Sequence, residues 1–182
     1  MCHFLLQTPN FFLLLLHIDA ELAAQTKAAA CPFCGGVLHR SNYERKPRAC
    51  PREVLGRFQS RFSFCCSLCR KRTTPESLRF LGRRVYLGLA VVLLPQRRKT
   101  LSSAAIELCE TLGVPTRTLS RWRQWWIQRF PCTKLWQALC ARFMPPVATI
   151  DLPTSLITRF SGAAHEAMLR LLAFLCPLSV AR

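Results

Sequence analysis

Negative charge is scarce in this chain of 182 residues: Asp and Glu together number nine, against 26 Lys and Arg. Two-metal phosphoryl transfer needs clustered carboxylates. Asp19 and Glu21 stand near the N-terminus, and Asp151 and Glu166 stand apart beyond residue 145, so no such cluster forms in the sequence. Histidine is as sparse, with His3, His17, His39 and His165 scattered singly. A phosphate-binding glycine loop and a nucleophile–base pair are missing as well. No enzymatic activity is expected. Long apolar runs are also absent. Phe11–Leu16 is bounded by Gln7, Pro9, Asn10 and His17, with no Lys or Arg before it, and Val85–Leu94 stops at Pro95. Neither matches the roughly 20 apolar residues of a membrane span or the basic start of a secretory signal. The expectation is a cytoplasmic, nucleoid-associated protein without a membrane partner or a small-molecule substrate. Internal repeats and low-complexity tracts are lacking too.

What the chain does have is positive charge, concentrated. Between Arg40 and Arg129 lie 20 Lys and Arg and five Glu, and the formal net charge of the whole chain is +17. One-signed charge of this density is the footprint of a polyanion partner.

Eleven cysteines, an odd number, suit metal binding in a reducing compartment better than a disulfide scaffold. "ACPFCGG" holds Cys31 and Cys34 two residues apart, and "SFCCSLC" repeats that spacing with Cys66 and Cys69. Two such turns supply the four thiolates of a tetrahedral structural zinc site. Gly35 and Gly36 let the chain fold back over the first pair. The 31 residues between the pairs exceed the usual spacing, so an extended hairpin or flap is expected there, on the β-like stretches "GVLHRSNYE" and "GRFQSRFSFC". Strand alternation turns Cys65 away from Cys66 and makes it the spare thiol. Cys50 and His39 stay open as substitute ligands.

From Pro75 the spacing of Leu78, Leu81, Val85, Leu89 and Val92 predicts a helix capped by Thr74. Farther on, "SSAAIELCETLGVPTRTLSRWRQWW" has the spacing of a helix-turn-helix. Leu108 and Leu112 close the first helix, Gly113 makes the turn, and Leu119 and Trp122 anchor the second. The outward face of that second helix would carry Thr116, Arg117, Ser120, Arg121 and Gln124 toward base edges, with Arg123 and Arg129 placed for phosphates. Trp122, Trp125 and Trp126 read as packing residues. Arg70, Lys71 and Arg72 leave the second cysteine turn as a phosphate-contacting run, which Arg83, Arg84, Arg97, Arg98 and Lys99 would extend.

A four-cysteine ribbon before a helix-turn-helix resembles the N-terminal DNA-binding part of bacterial insertion-sequence transposases. "CPFCGG", "RKPR", "CRKRTTPESLRFLGRRVYLG" and "LGVPTRTLSRWRQWW" look like a group of small bacterial transposase-like proteins, over roughly residues 28–145. The resemblance implies Cys31, Cys34, Cys66 and Cys69 as ligands and the helix from Thr116 as the reader of the element's ends. The doubled Cys65–Cys66 and the long spacer depart from a simple ribbon. The expected fold is mixed, mainly α, with a small β zinc ribbon followed by a helical helix-turn-helix domain. Its parts are an apolar N-terminal segment (1–26), the ribbon (27–75), a connecting helix and basic linker (76–99), the helix-turn-helix (100–145), and a proline-rich linker with a C-terminal helix (146–182). The expected function is that of a zinc-stabilised duplex-DNA-binding accessory or remnant of a mobile element, or a regulator, without its own catalytic domain. Three rivals stand beside it: a transposase subunit completed by a separate transposase chain, an RNA-binding zinc ribbon, and a peripheral membrane protein using the apolar N-terminus.

Overall fold

Thr8, with an extended backbone, and Pro9 at the first helical position start a 20-residue helix, α1 (Pro9–Ala28). The computed structural model containing it describes residues 3–47, 50–81, 88–92, 106, 109–110 and 113–180. Along α1, Phe11, Phe12, Leu15, Asp19 and Ala23 are buried, a stripe at helical spacing. Residues 1–26 were expected to stand apart. Instead Phe11, Phe12 and Leu15 enter the main core, and Ala23 enters a second, smaller one. At its end Ala30 takes a left-handed backbone (φ +61°) and delivers the chain straight to Cys31.

Five short strands follow: β1 (Leu38–Arg40), β2 (Tyr43–Glu44), β3 (Ser60–Arg61), β4 (Phe64–Cys66) and β5 (Arg72–Thr73), with a single helical turn, α2 (Leu55–Phe58), before β3. β1 pairs antiparallel with β4, setting Leu38 opposite Cys66 and Arg40 opposite Phe64. β2 pairs with β3, setting Tyr43 opposite Arg61 and Glu44 opposite Ser60. Between the two ladders the Ser41 N–H donates to the Ser63 carbonyl at 2.8 Å, and beyond them Arg45 donates to Gln59 at 2.6 Å. No residue is gained or lost across the junction. The long spacer is therefore one continuous hairpin, and β5 adds to β4 on its other edge.

Pro75 to Leu81 is not helical, although its apolar spacing predicts a helix. The backbone groups a helix would use are taken by side chains. The Leu78 N–H donates to Asp19 Oδ1 at 2.7 Å, Ser77 N–H donates to Ser179 Oγ at 2.9 Å, and Arg79 N–H donates to Ser77 Oγ at 3.2 Å. Local propensity yields to long-range hydrogen bonds. Helical structure resumes in α3 (Gly88–Val92), and Trp126 ties it down by donating from Nε1 to the Val91 carbonyl at 2.9 Å.

The rest of the described chain is mostly helical: α4 (Thr116–Gln124), continued by wider turns over Trp125–Arg129, then α5 (Lys134–Leu139), α6 (Thr154–Ile157) and α7 (Ala164–Leu175). Trp126, Phe130, Trp136 and Phe143 form a chain of ring contacts with centroids 4.8 to 6.0 Å apart, ending on Phe174 of α7. Trp122 and Trp126 are buried and Trp125 half-buried, so these tryptophans pack. The architecture is mixed and mainly helical, with a small β unit. Among the described residues no helix is long and apolar enough to cross a membrane.

Candidate functional site

The hairpin brings its two ends together, and each end is a cysteine turn of the same build. The Cys31 N–H donates to the Gly36 carbonyl at 3.0 Å, and the Cys66 N–H donates to the Lys71 carbonyl at 3.1 Å, five residues ahead in both. The residue after the second cysteine of each turn is left-handed: Gly35 at φ +70° and Arg70 at φ +58°. Glycine adopts this backbone freely and arginine only at a cost. Gly36 meets a different demand. A Cβ there would stand 2.9 Å from Cys66 Sγ, so only glycine lets the two turns close.

The Sγ atoms of Cys31, Cys34, Cys66 and Cys69 all lie within 4.8 Å of one another, an arrangement that can hold a metal ion. Cys31 and Cys69 are 3.6 Å apart and Cys34 and Cys66 3.4 Å apart, across the turns rather than within them. All four are free thiols. Burial raises the Cys66 pKa, but the Cys69 and Leu68 N–H groups and the neighbouring thiols outweigh it and bring it down to about 6. Cys69 goes the other way, to about 12, against the pull of the Lys71 N–H, because burial and three nearby sulfurs resist another negative charge. A cation among the four removes that resistance. Cys50 and Cys176, away from the group, are pushed up to about 12 by burial.

Neither open substitute joins the group. Cys65 turns away and donates to the Arg70 carbonyl at 3.5 Å, and His39 is exposed opposite Cys65 on β1. Cys50 packs against the main core.

Before α4 the chain turns on Gly113, at φ +59° with open space where a Cβ would lie. Its conformation, not crowding, selects glycine. Val114 N–H donates to the Cys109 carbonyl and Gly113 N–H to the Glu110 carbonyl, the paired bonds of a Schellman ending. Pro115 then starts α4 with an extended backbone. Thr118, Leu119 and Trp122 face inward, while Thr116, Arg117, Ser120, Arg121 and Gln124 are exposed and Arg123 is half-buried. Leu108, Leu112, Arg83, Arg84, Arg97, Arg98 and Lys99 lie outside the described residues.

The basic residues do not all face solvent. Arg79 is fully buried, its Nε 2.7 Å from Asp19 Oδ2, its Nη2 donating to the Ser60 carbonyl, and its guanidinium 5.1 to 5.3 Å from the rings of Phe58, Phe62 and Phe80. Arg61 is buried and donates to the Pro75 carbonyl at 2.6 Å. Arg72, though exposed, donates to the Ser41 carbonyl at 2.7 Å and to Ser63 Oγ at 3.1 Å. Arg70 and Lys71 project from the second turn, with Lys71 Nζ 4.8 Å over the Phe33 ring. Sequence reasoning passed over Phe33. The available signal was a bulky aromatic between two ligand-spaced cysteines, a position that leaves it 54 % exposed.

No family model, curated protein or solved structure matches this chain.

Proposed function

We propose that this chain is a zinc-stabilised protein that binds duplex DNA through α4, in the manner of the DNA-binding part of a transposase. Zinc suits the group because four soft thiolates favour it, and because bonds of ~2.3 Å give a tetrahedron with sulfur–sulfur edges of about 3.8 Å. The two close sulfur pairs, 3.4 and 3.6 Å apart, need only a small expansion to reach that size. The metal would be structural, fixing the turn from which Arg70 and Lys71 project.

The observation that carries the DNA reading is the outer row of α4. Thr116, Arg117, Ser120, Arg121 and Gln124 form a polar, cationic face without an acidic member, on a short helix entered by a glycine turn and anchored by Leu119 and Trp122. Such a helix presents donors of the length and geometry that major-groove base edges accept. Positive charge on the ribbon would add sequence-independent attraction to phosphates. A role beside a separate transposase chain follows from the resemblance of the sequence motifs.

A salt series on two variants tests this. Arg121→Ala should cost about 1–3 kcal/mol at one base position and relax preference there. Lys71→Ala should weaken binding to all duplexes alike and flatten the salt dependence by about one unit of slope. Unchanged profiles for both would contradict the reading.

A further inference from the structure

The two cysteine turns carry an apolar side chain at the same place, two residues after the first cysteine: Phe33 in one and Leu68 in the other. Neither is buried. Phe33 is 54 % exposed, Leu68 72 % and Val37 62 %. Leu68 lies over Gly36, its Cγ and Cδ1 3.0 Å from where a Cβ would be, which sets it next to Val37. Lys71 Nζ stands 4.8 Å from the Phe33 ring centroid, joining the aromatic to the positive run. The surroundings are of one sign. Between residues 27 and 75 the acids are Glu44 and Glu53, both toward the far end of the hairpin from the cysteines. A second copy of this chain, itself at +17, would be repelled from this end. A polyanion with a flat apolar face would not.

We propose that the cysteine end of the ribbon binds unpaired nucleotides, with one base stacked on Phe33 beside Leu68 and Val37 and the adjoining phosphates on Lys71 and Arg70. Bases within a duplex are stacked on each other and offer no free face, so the ligand is single-stranded. The inference rests on the nucleic-acid reading of the chain and extends it: α4 reads duplex, and the ribbon end, whose Lys71 also attracts duplex phosphates, takes an unpaired strand on Phe33.

The test is fluorescence anisotropy on the full, zinc-loaded chain with three probes: a DNA single strand of about ten nucleotides, an RNA strand of the same sequence, and the DNA duplex. Phe33→Ala and Phe33→Leu should each weaken single-strand binding roughly 5- to 150-fold, the loss of ~1–3 kcal/mol of stacking on one aromatic, with duplex affinity and zinc content unchanged. Phe33→Trp should retain the affinity, because the indole restores the aromatic face. Arg121→Ala should do the reverse and weaken only the duplex. Equal binding of the two single strands would assign recognition to base and phosphate; preference for one would add its sugar to the contacts. Single-strand affinity that survives Phe33→Ala, or that Phe33→Leu preserves, overturns the stacking role. So does concentration-dependent self-association abolished by Phe33→Ala, which would make the patch a protein contact. A chain that binds duplex but no single strand removes this inference alone. A chain that binds neither removes the nucleic-acid reading with it.

Discussion

The ribbon's own core consists of Cys31, Leu38, Phe64 and Cys66, together with Ala23 lent by α1, whereas the helical body buries Phe12, Leu119, Trp126, Phe130, Leu156 and Leu171 without exposed surface, amid many more. A core as small as the ribbon's does not offset the conformational entropy of ordering a hairpin of this length. Val54 and Phe58 anchor the far end of the hairpin in the main core, but the cysteine end lies away from it, and there the four converging thiols are what can close the structure. The body needs no such staple, since its aromatic chain and apolar helices fill one continuous interior. Two regions of one chain thus reach order by different physics, and α1 belongs to both.

That contrast is sharpest at the cysteines. Cys31→Ser or Cys66→Ser should abolish zinc binding and unfold the ribbon, because metal affinity at such sites, about 10–16 kcal/mol, is also folding free energy. Amide exchange should then show protection lost over residues 31–73 and kept in α7. Cys65→Ser should leave zinc stoichiometry intact, as its thiol bonds the Arg70 carbonyl instead. Equal zinc loss in all three variants would break the distinction.

The joint between the regions comes next in size. Arg79 joins the Asp19 carboxylate of α1 to the Ser60 carbonyl of the hairpin, with no exposure on either partner of the ion pair. Arg79→Met leaves that buried carboxylate without its counter-charge, held only by the Ser77 hydroxyl and the Leu78 N–H, and should destabilise the fold by about 3–5 kcal/mol. Denaturant unfolding of the zinc-loaded chain measures it; a cost below about 1 kcal/mol would mean that the ribbon and body are not coupled through this pair.

The smallest effect compares the two turns with each other. Arg70 stands where Gly35 does, at positive φ. Arg70→Gly should hold or raise zinc affinity, by up to about 1 kcal/mol, and Arg70→Val should lower it by more than that. Chelator competition reads both. A loss on going to glycine would assign Arg70 a structural contact beyond its backbone.

Legibility in the sequence followed the range of the interactions. The cysteine turns, the hairpin between them, the glycine before α4 and the amphipathic α7 all rest on spacing over a few residues, and each is found where that spacing puts it. The tie from Asp19 to Ser77, Leu78 and Arg79 spans about 60 residues and leaves no local trace. For that reason α1 read as a detached leader and Pro75–Leu81 as a helix, whose periodicity it satisfies. The burial of Arg61 and Arg79 was hidden for the same reason: a basic residue in a basic block gives no sign that its partners are a distant carboxylate, a carbonyl and phenylalanine rings. Phe33 failed from the opposite side, since apolar residues are assigned to a core by default and this one is 54 % exposed.

The most direct test of the functional reading is to pass a pool of random-sequence duplexes over the zinc-loaded chain at moderate salt and sequence what is retained. A defined motif, relaxed at one base position when Arg121 is changed to Ala and kept whole when Lys71 is, is the predicted result. Retention without sequence preference that vanishes as salt rises would contradict it, leaving only the attraction of a +17 chain for any polyanion.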